Sequence, residues 1–100
     1  MDHRNDDNVA YFCMEYGLDP ALTIYAGGLG VLAGDILKAN HDQQRNLVAI
    51  GIFWDEGYTH QRLDAEGQPQ DHYEKTDRQR LEAVDAEVSI EIRGEQVPLR

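Results

Sequence analysis

Two short apolar runs separated by one amphipathic segment restrict this chain more than any other feature of its sequence. The first, "VAYFCM" at Val9–Met14, is β-branched and aromatic and has the length of a strand. The second, "LVAIGIFW" at Leu47–Trp54, is continuously apolar, the pattern of a strand covered on both faces. Between them Leu29, Leu32, Ala33, Ile36 and Leu37 recur at offsets of 0, 3, 4, 7 and 8, which places them on one face of a helix. The polar tail "KANHDQQRN" ends that helix near Asn46. Strand, helix and strand in this order predict an α/β fold built on a βαβ unit over residues 9–54. Its strands should be parallel, with a right-handed crossover.

Beyond residue 54 the pattern changes to a β-rich segment, 55–100. "EGYTHQRLD" reads as a strand leaving a turn at Gly57, and "AEGQPQDHYEKTDRQRLE" as an irregular polar surface loop. "AVDAEVSIEIRG" alternates, with Val84, Ala86, Val88, Ile90 and Ile92 on one face of a half-exposed strand. "RGEQVPLR" turns at Gly94 and starts another extended segment at Val97, which predicts a hairpin. Residues 1–8, "MDHRNDDN", form a polar, disordered start, and 9–100 an incomplete domain. Incomplete sheets leave unpaired edges and exposed apolar faces, so marginal stability or self-association is expected.

Nine basic against nineteen acidic side chains give a net charge of −10, which lacks the basic patch of a nucleic-acid or anionic-membrane surface. No apolar run approaches the roughly 18 residues of a membrane span, and the first residues lack the apolar core of a signal peptide. A soluble, cytoplasmic protein is expected. The single cysteine, Cys13, lies between Phe12 and Met14 and reads as a small buried hydrophobe without an internal disulfide partner. His3, His41, His60 and His72 have no metal-ligand spacing with one another or with Cys13, so no metal site is expected. Asp64 and Glu66 read as solvated charge.

The stretch "YAGGLGVLAGDILK", Tyr25–Lys38, places three glycines in four positions at the start of the predicted helix. The first N–H groups of a helix lack internal partners and carry the positive end of its dipole. A glycine-rich approach lets an anion, typically a phosphate, come near without meeting a Cβ. A Walker loop is excluded, because no Lys-Ser or Lys-Thr pair follows the glycines. A dinucleotide fingerprint fits in part through Gly28, Gly30 and Ala33. However, the strand ends at Met14, a connection containing Pro20 intervenes, and the acid after the second strand, Asp55, arrives late. A glycine start that serves only tight helix–strand packing fits equally well.

Three linked stretches, "YFCMEYGL", "IYAGGLGVLAGDILKAN" and "LVAIGIFWDEGYTHQRLDAEG", resemble in order and spacing the N-terminal domain of the α-glucan (glycogen, starch, maltodextrin) phosphorylases, most of all their shorter bacterial type. The likeness covers about Val9 to Gly67, and "EVSIEIRGEQVPL" also suits that family. It implies a partial Rossmann-like domain of a glycosyltransferase-B fold. The implied enzyme transfers terminal α-1,4-linked glucose to inorganic phosphate and releases glucose 1-phosphate, with pyridoxal 5′-phosphate as cofactor.

Carried residue by residue, Gly27, Gly28 and Leu29 would offer backbone N–H groups to phosphate and the glucosyl region, with Gly28 also facing the cofactor. Gly30 would permit the tight start of the helix. Glu15 matches a family carboxylate that lines the same site; on general grounds it is equally a cap at a strand end. Tyr16 and Tyr25 read as core residues before sugar-pocket residues, Asp35 as a helix-surface acid, and Arg62 and Asp64 as structural or cleft-edge residues. The family's Schiff-base lysine belongs to a second domain, so neither Lys38 nor Lys75 takes its place. The family's chains run to several hundred residues, and Gln68 and Pro69 stand where many relatives carry a tryptophan. A fragment inactive by itself is therefore expected. A small dinucleotide-binding protein and an interaction module with exposed sheet edges are the alternatives from other classes.

Overall fold

The computed structural model describes residues 7–99. The expected disordered start therefore lies, for residues 1–6 and with them His3, outside the described residues. Strand β1 (Val9–Phe12) is followed by helix α1 (Gly28–Asp42) and strand β2 (Leu47–Ile50). β1 and β2 pair in parallel from Val9↔Leu47 to Phe12↔Ile50, so the expected βαβ order and strand direction are present. Strands β3 (His60–Leu63) and β4 (Pro69–His72) form one antiparallel hairpin. Strands β5 (Val88–Ile92) and β6 (Glu95–Leu99) form another. The chain is thus mixed α/β, with three two-stranded sheets among the described residues.

Both strands of the parallel pair are shorter than their apolar runs, and Tyr16 shows why. Its hydroxyl is shared between the carbonyls of Tyr11 (2.7 Å) and Ile50 (3.0 Å), bridging the C-terminal ends of β1 and β2. Its ring lies so close to Gly51 that a Cβ there would come within 2.7 Å of it. Regular pairing stops where this side chain takes over. Tyr16 is buried, as a core residue should be, and burial pushes its phenol pKa up.

The helix meets its predicted orientation in part: of the five face residues Ala33 is buried and Ile36 and Leu37 are half-buried. The buried residues are Gly30, Ala33 and Gly34, whereas Leu29 and Leu32 point outward, 51 % and 58 % exposed. Small residues win this face because they let the helix approach the backbone: the Gly17 amide donates to the Gly30 carbonyl at 2.7 Å. A Cβ on Gly34 would stand 2.2 Å from the Gly17 carbonyl oxygen. The helix also stops at Asp42 rather than near Asn46. The Gln43 and Gln44 amides close on the Ala39 and His41 carbonyls, and Gln44 takes the left-handed φ of 54°.

Four further expectations are corrected. The stretch read as an irregular loop contains β4 and a short 3-10 turn at Arg78–Arg80. Its partner strand is set by the Asp64–Gln68 turn, where Asp64 Oδ1 accepts from the amides of Glu66 (2.9 Å) and Gln68 (2.8 Å). Asp64 is therefore a turn-forming side chain, not only solvated charge. The alternating strand begins at Val88, leaving Val84 and Ala86 outside it, and its hairpin closes through Arg93 and Gly94, both at positive φ. Cys13 is half-buried, not buried.

β2 also lacks the two-sided cover its composition implies, because among the described residues α1 is the single other element packed on it besides its partner β1. Val48 is 65 % exposed, and Phe12, Ile52 and Trp54 are exposed as well. The whole chain exposes 8776 Å², against about 5,800 Å² for a compact monomer of its mass. The expectation of exposed apolar faces is met.

Candidate functional site

Helix α1 begins at a residue that cannot cap it. Gly27 occupies the N-cap in an extended conformation and offers no side chain. The missing acceptor comes from Glu15, just beyond β1. Its Oε1 accepts from the Gly30 amide and its Oε2 from the Ala26 amide, both at 2.9 Å. One carboxylate thus holds the loop on either side of Gly27–Leu29. The Gly28 and Leu29 amides have no partner among the described residues, and a Cβ on Gly27 or Gly28 would meet nothing within 4 Å. Packing within this chain does not require glycine at these two positions; open approach to the amides does use it. Gly30 is different: a Cβ there would come within 2.6 Å of the Tyr25 Cβ, so it serves the tight start of the helix.

Beside the loop lies a cleft of about 280 Å³, with Glu15, Tyr25 and Ala26 on one side and Trp54, Glu56 and Tyr58 on the other. Two devices set its width. The Trp54 indole N–H donates to the Met14 carbonyl at 2.8 Å, tying the segment after β2 to the segment after β1. Gly57 sits so close to Thr23 that a Cβ would come within 2.8 Å of its carbonyl oxygen.

Behind Trp54 runs the segment Glu74–Arg78. The Gly57 amide donates to the Glu74 carbonyl (2.9 Å) and the Thr76 amide to the Asp55 carbonyl (2.8 Å). Asp55 receives Lys75 Nζ at 2.6 Å and Arg78 at 3.1 Å. Hydrogen bonding to Lys75, then to Arg78, holds the Asp55 carboxyl below the usual carboxylate range, and Asp55 in turn raises Lys75. The Arg78 guanidinium also lies 5.4 Å over the Phe53 ring.

The structure therefore brings Glu15, Gly27, Gly28 and Leu29 together, and places Tyr25 in the cleft wall. Tyr16 is core, Asp35 is exposed on α1, Arg62 is exposed in β3, and Asp64 forms its turn. Lys38 follows Gly28 by ten helical positions, about 15 Å along the axis. Asp55, the acid a dinucleotide site would need, has both carboxylate oxygens engaged by cations. Sequence reasoning missed Trp54 and Thr76. Trp54 closes an apolar run and reads as strand interior; its sole polar atom, which needs an acceptor when packed, was the available signal.

No family model matches the chain, and no solved structure matches it. Maltodextrin phosphorylase of Thermococcus litoralis is 47% identical over 62 residues, 62% of this chain and 8% of that protein. Glycogen phosphorylase of Mycobacterium tuberculosis is 42% identical over 73 residues, 73% of this chain and 8% of that protein. An uncharacterized protein of Methanocaldococcus jannaschii is 38% identical over 88 residues, 88% of this chain and 17% of its own length. The chain thus spans about 8% of the length of these phosphorylases. Over the segment it shares with them, this chain belongs to the α-glucan phosphorylase family.

Proposed function

We propose that this chain supplies the anion-facing loop of an α-glucan phosphorylase, the first part of a Rossmann-like domain in a glycosyltransferase-B architecture. In the reaction, terminal α-1,4-linked glucose passes to inorganic phosphate and leaves as glucose 1-phosphate. The Gly28 and Leu29 amides, at the positive end of α1, are preorganised donors for phosphate and for charge that develops at the glucosyl centre. Glu15 holds the loop in place through Ala26 and Gly30 and borders the cleft where the sugar lies. The observation that carries this reading is a pair of amides without a partner among the described residues, in a glycine loop whose Gly27 and Gly28 Cβ positions are open.

Pyridoxal 5′-phosphate, the family's cofactor, contributes its phosphate group to the transfer. The Gly27–Leu29 amides fit a phosphate, but no lysine here fits a Schiff base. Lys75 is bound to Asp55 and held in its charged form, and Lys38 lies down the helix. The chain by itself therefore offers the cofactor no covalent anchor, and the reading includes no turnover by this chain alone.

A chimera tests the proposal: the 62 matching residues of the Thermococcus litoralis enzyme replaced by those of this chain. Phosphate-dependent release of glucose 1-phosphate is expected, as is its loss in Gly28→Val with unchanged circular dichroism. A folded but inactive chimera, or an active Gly28→Val variant, overturns the assignment.

A further inference from the structure

Apart from the Tyr16 phenol at the strand ends, Thr76 carries the one buried polar side chain among the described residues, only 4 % exposed, and it sits behind the Trp54 wall of the cleft. Its hydroxyl donates to the Trp54 carbonyl, and its amide donates to the Asp55 carbonyl at 2.8 Å. That hydroxyl has a single hydrogen, already directed at Trp54. The Thr23 hydroxyl, 3.5 Å away, is therefore the donor across the remaining gap. Three separate stretches meet at this one side chain: the connection leading to the glycine loop, the segment after β2, and the Glu74–Arg78 segment. Gly57 touches the same three stretches, through its packing on Thr23 and its amide on the Glu74 carbonyl, but with backbone alone; among the described residues Thr76 is the side chain whose hydrogen bonds join them. The Asp55–Lys75–Arg78 cluster lies on the exposed side of the same segment, where solvent screens it.

The geometry points to Thr76 as the positioning residue for the aromatic wall of the cleft, setting where Trp54 and Tyr58 stand relative to Glu15 and Tyr25. Thr76 itself does not line the cleft; it acts through Trp54. A threonine suits this position because its hydroxyl satisfies the Trp54 carbonyl while its methyl group fills the buried space. Valine keeps the shape and removes the donor, leaving a carbonyl without its partner. Serine keeps the donor.

Trp54 is the chain's only tryptophan, so its fluorescence reads the wall directly, without any enzyme assay. In the 100-residue chain, Thr76→Val should raise acrylamide quenching of Trp54 about twofold with unchanged circular dichroism, and Thr76→Ser should match the parent, as for one lost hydrogen bond. Unchanged quenching in a folded Thr76→Val overturns the proposal. Should Thr76→Val fail to fold, amide exchange in the parent decides. Slow exchange at Gly57 and Thr76 supports the assignment, and free exchange there overturns it.

A final arm rests on the phosphorylase reading and uses the chimera with its exchanged segment extended past Thr76. Thr76→Val should raise KM for maltodextrin about fivefold, within the factor one hydrogen bond carries, with kcat and the KM for phosphate unchanged and Thr76→Ser restoring the parent value. An equal fall in kcat for every substrate overturns a positioning role. A chimera inactive with Thr76 intact defeats the phosphorylase reading, while the fluorescence result stands on its own.

Discussion

Gly34 offers the sharpest test of how this small fold is held together, because two effects of known size oppose each other there. Replacing it with alanine improves intrinsic helix propensity by about 1 kcal/mol. The new Cβ, however, would stand 2.2 Å from the Gly17 carbonyl oxygen and 2.8 Å from its carbon, with no flexible side chain to yield. Ordinary contact begins at 3.4 Å, so α1 would have to withdraw by about 1.2 Å. That movement stretches the 2.7 Å bond from the Gly17 amide to the Gly30 carbonyl and loosens Gly30 and Ala33, the rest of the helix's buried face. Overpacking of this kind costs about 1–3 kcal/mol, and the lost hydrogen bond adds about 1 kcal/mol. The steric effect therefore exceeds the propensity gain. Gly34→Ala should be less stable by about 1–3 kcal/mol, which lowers a urea midpoint by about 1–3 M at a slope of about 1 kcal/mol per molar. Gly28→Ala is the internal control, since its Cβ meets nothing within 4 Å, and its midpoint should hold or rise. Urea unfolding followed at 222 nm compares the two. A Gly34→Ala chain at least as stable as the parent would refute close backbone contact as the reason for the small-residue face.

Other outcomes follow from the same structure. Glu15→Ala leaves the Ala26 amide without its acceptor and the Gly30 amide with the Gly27 carbonyl alone, and should cost about 1 kcal/mol, as lost caps do; an unchanged thermal midpoint would contradict the capping role. Asp55 has a depressed pKa when folded, so its contribution is present above the ordinary carboxylate range and disappears as pH falls through the lowered value. Lys75 has a raised one, so its contribution is present below the ordinary lysine range and disappears as pH rises through the raised value. Lys75→Gln should flatten both limbs of a midpoint-against-pH curve, and the difference should shrink in high salt because both groups are exposed. Gly94 has a φ of 80°, which disfavours any Cβ. Gly94→Val should unpair β5 and β6, seen as lost cross-strand NOEs between Ile90 and Val97, while α1 signals stay in place.

Local pattern carried much of the fold. The apolar runs, the helical spacing and the Gly94 turn placed β1, α1, β2 and the last hairpin near their observed positions, because each depends on neighbours within a few residues. β4 escaped because "PQDH" has no apolar alternation. Its pairing comes from the Asp64 turn and from β3 across it, not from burial. The helix face was assigned in part, right for Ala33, Ile36 and Leu37 and wrong for Leu29 and Leu32, for a related reason. Periodicity counts large apolar residues, whereas the packing used Gly30, Ala33 and Gly34, whose value lies in having little or no side chain.

The candidate site divides along the same line. By itself the sequence determined the glycine loop at a helix start, the carboxylate after the first strand and the family to which they point, since these are contiguous motifs at readable spacing. Only the tertiary structure decided that Glu15 caps that helix from 15 residues away, that Gly27 and Gly28 are open while Gly30 is pressed against the Tyr25 side chain and Gly34 against the Gly17 backbone, and that Thr76 stands behind Trp54. Each of these depends on distances between segments far apart in the chain, and such distances exist only once the backbone has folded.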